Sequence, residues 1–571
     1  MVYERRPAIR YAVGVYSLVS GLSGIAVGDD LSFGKEGMAA TTAVRSYGVS
    51  GDGVGIGQVE LDRPGRPKLD STALANKDVV PTQVFIRTSP ATKDVAIHPH
   101  AESVAGVIIG AGKGALAGIA PKASLYSAAD TSPDQPGASL TTQNIAQQQF
   151  GDVRAINLSY GILPVAGSGV TNGSDPFTLF VDWSGRRHDV LYIAAGNENS
   201  ADGFTVPMDN YNGIIVGATT LKGGEFRQVA DFNRFDQPPI DGRRMVSLLA
   251  PGTDINMAGL NDATRTASGT SYAAPHVTGT AALLQEFADR EIQRQKPGWS
   301  VFANAHQVMK AILLDSAEKL KLTDKVNATL NSDKELVRKD GTTQWANSPG
   351  HPIDEQMGTG QLDADRALYE FKQGQQAASA PVSYAGWDFG SISQVGSYKK
   401  YQFKQQLLKD SYFSATLAWD RIVDLNDWGN DGQPDTHDNG ENNFDYDPGE
   451  TFSPHGFANL DLYLLPQGDS DLTHAIASST SSLYTIEHLF FKLTETGYYD
   501  LWVRESQAGP LSSDFYGLAW RAVAAVPEPN AIPLLLAAAL FGLKTRKGTP
   551  HSYTNAPPSK SIAGSSSFSD Q

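Results

Sequence analysis

No cysteine occurs anywhere in the 571 residues. That excludes a disulfide scaffold, a thiolate metal site and a cysteine nucleophile. Positive charge is scarce as well: 46 Lys and Arg stand against 62 Asp and Glu, a formal net charge of -16. General nucleic-acid binding needs clustered Lys and Arg for phosphate contacts, so no nucleic-acid partner is expected. Charged residues are 19% and hydrophobic residues 40% of the chain. That is too little charge for a long coiled coil and ordinary apolar content for a globular protein. Present in number are turn formers, 56 Gly and 31 Pro. The length suits more than one domain, because a single core rarely grows past roughly 250–300 residues.

From about Val44 to Phe371, apolar strand-like runs alternate with helical stretches. The runs include Val54–Ile56, Ala155–Leu158 and Val190–Ala194; Leu140–Gln149 and Ser271–Gln293 read as helices. Such alternation predicts an α/β fold, a mostly parallel sheet covered by helices on both faces. A Gln/Ala/Ser/Pro stretch from Gln373 then reads as a linker. Beyond it, Tyr412–Trp419, Ala458–Leu464 and Gly497–Val503 alternate with period two, which predicts a small all-β sandwich or jelly roll.

The segment Gly269-Thr270-Ser271-Tyr272-Ala273-Ala274-Pro275 runs into a Gly/Ala/Leu-rich helix. It is a tight turn that puts a serine hydroxyl at a helix N-terminus, where free N–H groups favour developing negative charge. Pro275 is expected in the first turn, where its missing donor is not needed. Taken alone, Gly-Thr-Ser is better read as an ordinary N-cap. The whole segment, however, resembles the nucleophile motif of the subtilisin-like serine proteases. Further segments follow in that family's order. His100-Ala101-Glu102-Ser103-Val104-Ala105-Gly106 is similar to its histidine motif, with Ala-Glu-Ser where Gly-Thr-His is usual. Ala117–Tyr126, Ala194-Ala195-Gly196-Asn197, Ala250-Pro251-Gly252 and Gly358-Thr359-Gly360 resemble further motifs of the family.

The resemblance implies a subtilisin-like fold and a serine endopeptidase that works through an acyl-enzyme. Ser271 would be the nucleophile and His100 its base, since an imidazole titrates near working pH. His98, two residues earlier, is expected to line the entrance. The carboxylate that orients the imidazole departs from the family's Asp-Ser/Thr-Gly pattern. Strand alignment of Val54 and Ile56 puts Glu60 there, and Asp62, two residues on, is the alternative. Asn197 would donate to the oxyanion. Ser159-Tyr160-Gly161 would pair with the substrate backbone as an extended edge. Ala194, Ala195 and Gly196 would line a roomy apolar pocket, giving broad specificity for large uncharged side chains. No cofactor is implied for catalysis, and the partners are protein or peptide substrates of a monomer. A catalytically silent surface protein on the same fold is the alternative. An α/β-hydrolase lipase fails on order, since it runs Ser, acid, His, and this chain runs carboxylate, His, Ser.

Nine acids and no Lys or Arg lie between Asp424 and Glu450. Hard oxygen ligands interleaved with Asn and Gly suit a structural calcium ion there. Asp427, Asp431, Gly432 and Asp438 fall at EF-hand-like positions, although Gly429 at the third position does not fit. The all-β segment resembles the C-terminal jelly roll of some bacterial subtilases. Arg5, Arg6 and Arg10 before the uncharged stretch Tyr11–Gly28 resemble a secretory signal peptide. Val526-Pro527-Glu528-Pro529, the apolar run Ala531–Leu543 and the basic Lys544, Arg546 and Lys547 resemble a PEP-CTERM sorting signal. That implies export to the envelope or medium and exosortase-type processing. The expected organisation is a signal at 1–28, a catalytic domain at 29–372, a linker at 373–384 and a β-domain at 385–523. A sorting segment at 524–547 and a tail at 548–571 follow. Residues 29–50 are too few for a foldable prodomain.

Overall fold

The computed structural model describes residues 31–524, apart from 132–133, 149–151, 166–171, 199–203, 236–240, 323–333, 349 and 427–444. The expected signal, all but the first residue of the sorting segment, the tail and most of the acidic run, with its EF-hand-like positions, lie outside the described residues. The chain divides into two compact units, Met1–Ala525 and Val526–Gln571, and every described residue belongs to the first.

Helix α1 (Ala40–Tyr47) leads into β1 (Gly55–Glu60), β2 (Gln83–Ile86) and β3 (Ser89–Pro90). Helix α2 (Pro99–Ile109), β4 (Ser124–Ala129), α3 (Gln135–Ala146), β5 (Val153–Leu158), α4 (Pro176–His188) and β6 (Leu191–Ala195) follow. Then come β7 (Ile214–Lys222), β8 (Glu225–Val229) and β9 (Leu248–Pro251). The hairpin strands β10 (Ile255–Ala258) and β11 (Thr264–Ala267) precede the long helix α5 (Thr270–Gln293), α6 (His306–Asp315) and α7 (Ala364–Phe371).

Strands β1 to β9 form one sheet in the order β3-β2-β4-β1-β5-β6-β7-β8, with β9 also on β7. The pairs β2/β4, β4/β1, β1/β5, β5/β6, β6/β7 and β7/β9 are parallel. Two apolar clusters cover the two faces. One gathers Ile56, Ala155 and Ile193 with α2 and α5; the other gathers Val59, Ile156 and Ala194 with α3 and α4. Strand β1 is buried along its whole length, as expected of a central parallel strand. Its two polar exceptions, Gln58 and Glu60, belong to the site below. Because β1, β5 and β6 are parallel neighbours, their carboxyl ends open at one edge, the usual place for chemistry in such sheets.

The remaining strands are antiparallel. β12 (Ala385–Ile392), β13 (Tyr398–Gln402), β14 (Tyr412–Trp419), β15 (Ile422–Asn426) and β16 (Thr451–Gly456) come first. β17 (Asn459–Pro466), β18 (Ala477–Ser479), β19 (Ile486–Lys492), β20 (Tyr499–Gln507) and β21 (Asp514–Arg521) complete the set. Two four-stranded sheets, β12-β21-β14-β19 and β13-β20-β17-β18, enclose a core that includes Phe413, Leu417, Leu462, Leu501 and Trp520. Helix α6 packs on β14 and β21, where the fully buried Asp315 accepts from Ser414 Oγ at 2.7 Å. β15 and β16 form a separate two-stranded arm, and the acidic run connects them. The arm lies on α3 and α4: Val423 and Tyr446 join the core cluster there, and Gln143 exchanges two hydrogen bonds with the Tyr446 backbone. No helix among the described residues is long and apolar enough to cross a membrane.

Candidate active site

Glu60 ends β1 and is 3% exposed. Its Oε2 lies 2.6 Å from His100 Nδ1. Its Oε1 accepts from Gln58 Nε2 at 3.0 Å, and the same amide donates to the Ala101 carbonyl at 2.9 Å. Gln58 precedes Glu60 by two residues and so shares its strand face. The strand stops at Glu60, and Leu61 and Asp62 lie in a bend. The two-residue alternation therefore does not carry on to Asp62, whose carboxylate makes no hydrogen bond among the described residues. Of the two carboxylates considered from the sequence, Glu60 is the one that faces the imidazole.

His100 enters α2 in the first turn, after Pro99, with His98 as the N-cap accepting the His100 N–H. His98 is exposed and makes no contact with Glu60 or Ser271. Burial alone would push the His100 pKa down. The charge of Glu60 and its hydrogen bond overcome this and hold the imidazole above the ordinary histidine value, with Arg265 opposing and Glu198 assisting.

Ser271 is the second residue of α5, and Pro275 lies inside the helix rather than in its first turn as expected. The reason is the carbonyl it releases. Pro275 has no N–H to offer to the carbonyl four residues back, Ser271 O. That oxygen instead accepts from Ser159 Oγ at 2.8 Å, while Ser271 Oγ donates to Ser159 O at 3.1 Å. The reciprocal pair ties the serine to the end of β5. Among the described residues, Ser271 Oγ donates to Ser159 and makes no hydrogen bond to His100. The His100 ring lies 5.2 Å from the ring of Tyr272, the next residue.

Asn197 follows β6 and is 8% exposed. Its Oδ1 accepts from Thr205 N and Thr205 Oγ1 at 3.2 and 2.8 Å, which fixes the amide. Its Nδ2 is buried without a hydrogen-bond partner. The residues on either side of it bind Thr270, the residue before Ser271. Thr270 Oγ1 donates to Gly196 O at 2.7 Å, and Glu198 Oε1 accepts from Thr270 N and Oγ1 at 2.6 and 2.8 Å. An unsatisfied donor beside a helix N-terminus is what an oxyanion would fill.

The expected substrate edge is mixed. Ser159 is engaged with Ser271. The Tyr160 ring is buried, 6.4 Å from the ring of Phe177, and so is not available to a substrate. Gly161 passes so close to Thr205 that a Cβ would meet Thr205 Oγ1 at 2.3 Å. A side chain there would push away the residue that orients Asn197. Ala194 and Ala195 are 0% and 3% exposed and point into opposite core clusters, and Gly196 is buried. Gln58, Thr205, Glu198 and Thr270 also belong to the site. Strand alternation would have found Gln58; nothing local marks Thr205, which reaches Asn197 across a loop.

Among the described residues, no group of three or more His, Asp or Glu is placed to hold a metal ion. The described flanks of the acidic run are engaged otherwise: Asp424 lies 3.1 Å from His455 Nε2, and Asp445 accepts from Gln147 Nε2.

Residues 65–343 match the model of the Subtilase family. Alkaline protease 1 of Aspergillus flavus is 32% identical over 194 residues, 32% of this chain and 42% of that protein. The chain thus spans less than half the length of this relative. Subtilisin BL of Lederbergia lenta is 25% identical over 260 residues, 45% of this chain and 82% of that protein. Among solved structures, a cold-adapted subtilisin-like serine proteinase is 20% identical, with 48% of this chain and 86% of that one covered and a TM-score of 0.33. The prenylagaramide maturation protease PagA is 22% identical, with 56% and 93% covered and a TM-score of 0.37. The fold of the N-terminal part is the subtilisin-like α/β fold, and antiparallel sheets follow it.

Proposed function

We propose that the chain is a serine endopeptidase in which Glu60, His100 and Ser271 act as a triad and Asn197 serves the oxyanion. The observation that carries this reading is the buried, unpartnered Asn197 Nδ2, held beside the serine-bearing helix end that also meets the Glu60–His100 pair.

The Ser271 hydroxyl turns from Ser159 O toward His100 Nε2, which takes its proton as Oγ bonds to the substrate carbonyl carbon. Glu60 holds the Nδ1 proton and stabilises the imidazolium. The oxyanion accepts from Asn197 Nδ2 and the Ser271 N–H. The carbon–nitrogen bond breaks as His100 returns its proton to the leaving amine, and water then releases the acyl group by the same route. The Ser159–Gly161 edge binds extended substrate backbone, and Gly196, beside Asn197, borders the site for large uncharged side chains, while Ala194 and Ala195 support it from the core. The protein is exported and processed at its C-terminal sorting segment by an exosortase-type enzyme, acts as a monomer on protein substrates, and carries a structural calcium ion in the acidic run.

A fluorophosphonate probe tests the active-enzyme reading against a silent binding protein. Wild type should label and Ser271→Ala should not; an unlabelled, folded wild type sinks the proposal. Glu60→Gln should lose most labelling and Asp62→Asn should keep it, and the reverse would transfer the role to Asp62.

A further inference from the structure

Glu102 is a fully buried carboxylate on α2, two residues past His100, and the chemistry above does not use it. Its Oε2 accepts from Gly65 N at 2.6 Å. Gly65 lies five residues beyond Glu60, in the loop that leaves β1. No other residue fits there, since a Cβ would lie 1.9 Å from the Leu74 carbonyl oxygen.

Backbone and side-chain hydrogen bonds join the chain on either side of Glu60 to the chain entering and following His100, among them these four. Arg63 N donates to Ala96 O at 2.8 Å, and His98 N donates to Arg63 O at 3.2 Å. Gln58 Nε2 donates to Ala101 O at 2.9 Å, and Gly65 N donates to Glu102. Of these, only the last depends on a titratable group. We propose that Glu102 is a positioning residue that hangs the loop leaving Glu60 from the helix that carries His100, and so keeps the Glu60–His100 pair closed. This rests on the reading of that pair as catalytic.

Burial pushes the Glu102 pKa up to about 8, against the Gly65 and Asn76 amides and Arg63, which favour its charge; Asp70 adds to the rise. Arg63 is itself engaged by Asp70 at 2.7 Å. Glu102 Oε1 makes no hydrogen bond among the described residues. The neutral acid therefore serves as the acceptor for Gly65 at neutral pH. Ionisation places a charge in a site closed to water, where the two amides and Arg63 offset only part of the lost solvation. Opening the loop from α2 relieves it and slackens the hold on His100. The folded pKa lies above the unfolded one, and the folded state keeps the proton longer. Stability therefore falls with rising pH from the ordinary carboxylate range up to about 8 and is level beyond it.

The test measures the rate of Ser271 labelling by a fluorophosphonate, and thermal melting, across neutral and alkaline pH. It compares wild type, Glu102→Gln and Glu102→Asp. Gln keeps an acceptor oxygen and cannot ionise; Asp keeps the charge but falls a methylene short of Gly65. At pH 7, Glu102→Gln should label within about two-fold of wild type and Glu102→Asp roughly ten-fold slower, one lost hydrogen bond's effect. Above pH 8 the wild-type rate should fall and the Glu102→Gln rate should not. Wild-type melting temperature should drop between pH 5 and 8 more steeply than that of Glu102→Gln, in which the other raised acids Asp130 and Asp514 still titrate. An unchanged alkaline fall in Glu102→Gln, or wild-type labelling by Glu102→Asp at pH 7, overturns the proposal. If wild type does not label at all, the peptidase reading fails, and parallel melting curves for wild type and Glu102→Gln would still refute the Glu102 anchor on their own.

Discussion

His100 and His306 both sit against carboxylates, but the first has one such partner and the second has two. His100 Nδ1 faces Glu60 at 2.6 Å, and its side chain is 27% exposed. Its other nitrogen bonds nothing among the described residues. His306 begins α6 with its side chain 1% exposed, and its two nitrogens face Asp189 at 2.8 Å and Asp420 at 3.0 Å. Both ring nitrogens of His306 are thus taken up by carboxylates. Burial alone would raise the Asp420 carboxyl, but the charge of His306 and its hydrogen bond bring it below the ordinary carboxylate range. The difference lies in what is left over. One carboxylate orients a ring and leaves a nitrogen able to take and return a proton; two carboxylates use up both nitrogens. His306 joins α6 and the loop after α4 to Asp420, at the end of β14, so it pins the α/β part to the β part. The same imidazole chemistry thus serves as a proposed proton carrier in one place and as a clamp in the other.

The comparison can be broken by substitution, and the largest effect is expected at the first histidine's partner. Glu60→Gln should cut the labelling rate by about four powers of ten without lowering the melting temperature much, since a neutral amide leaves His100 in the wrong tautomer. A rate within ten-fold of wild type would mean that Glu60 is only a neighbour. His306→Ala should do the opposite: a loss of about 3 kcal/mol in a denaturant titration, because the buried Asp420 and the partly exposed Asp189 lose the ring that joins them. At temperatures where it stays folded, its labelling rate should match wild type; a slow, stable His306→Ala would erase the distinction. Asn197→Ala should slow acylation by roughly 10²–10³ with little change in stability. The smallest effect is expected from Glu198→Gln. The Glu198 charge helps to hold the His100 pKa up, so its removal should move the acid limb of the rate to lower pH. The proton that blocks His100 as a base is bound less tightly without it. An unmoved limb would mean that Glu198 acts only as an anchor for Thr270.

Much of this was legible from residue order. The motif around Ser271 places a serine at a helix N-terminus, and α5 does begin at Thr270. The continuous burial of β1 follows from its position in a parallel sheet, and the period-two stretches Tyr412–Trp419 and Gly497–Val503 fall on β14 and β20. Other features failed for identifiable reasons. Asp62 shares a face with Glu60 only if the strand continues, and it does not. Pro275 fits a first turn by residue type, and its place inside α5 depends on Ser159, more than a hundred residues away in sequence, which takes up the freed Ser271 carbonyl. Thr205 and Glu198 are ordinary by type and gain meaning only from the groups they touch. The acidic run suits a calcium ion by residue type alone, and the seating of its described flanks on α3 and α4 follows from packing of Val423 and Tyr446.

What the sequence determined by itself is therefore local and chemical: which residue types can act as nucleophile, base and donor, in what order, and on which kind of element. Alternation and capping are short-range effects, so they are written in neighbouring residues. What only the tertiary structure decided is which carboxylate faces His100, what holds Asn197 and Ser271 together, and that Glu102 and His306 join distant parts of the chain. Those outcomes depend on burial and on hydrogen-bond partners far apart in the chain, which come together only when the parallel strands align and their carboxyl ends share one edge.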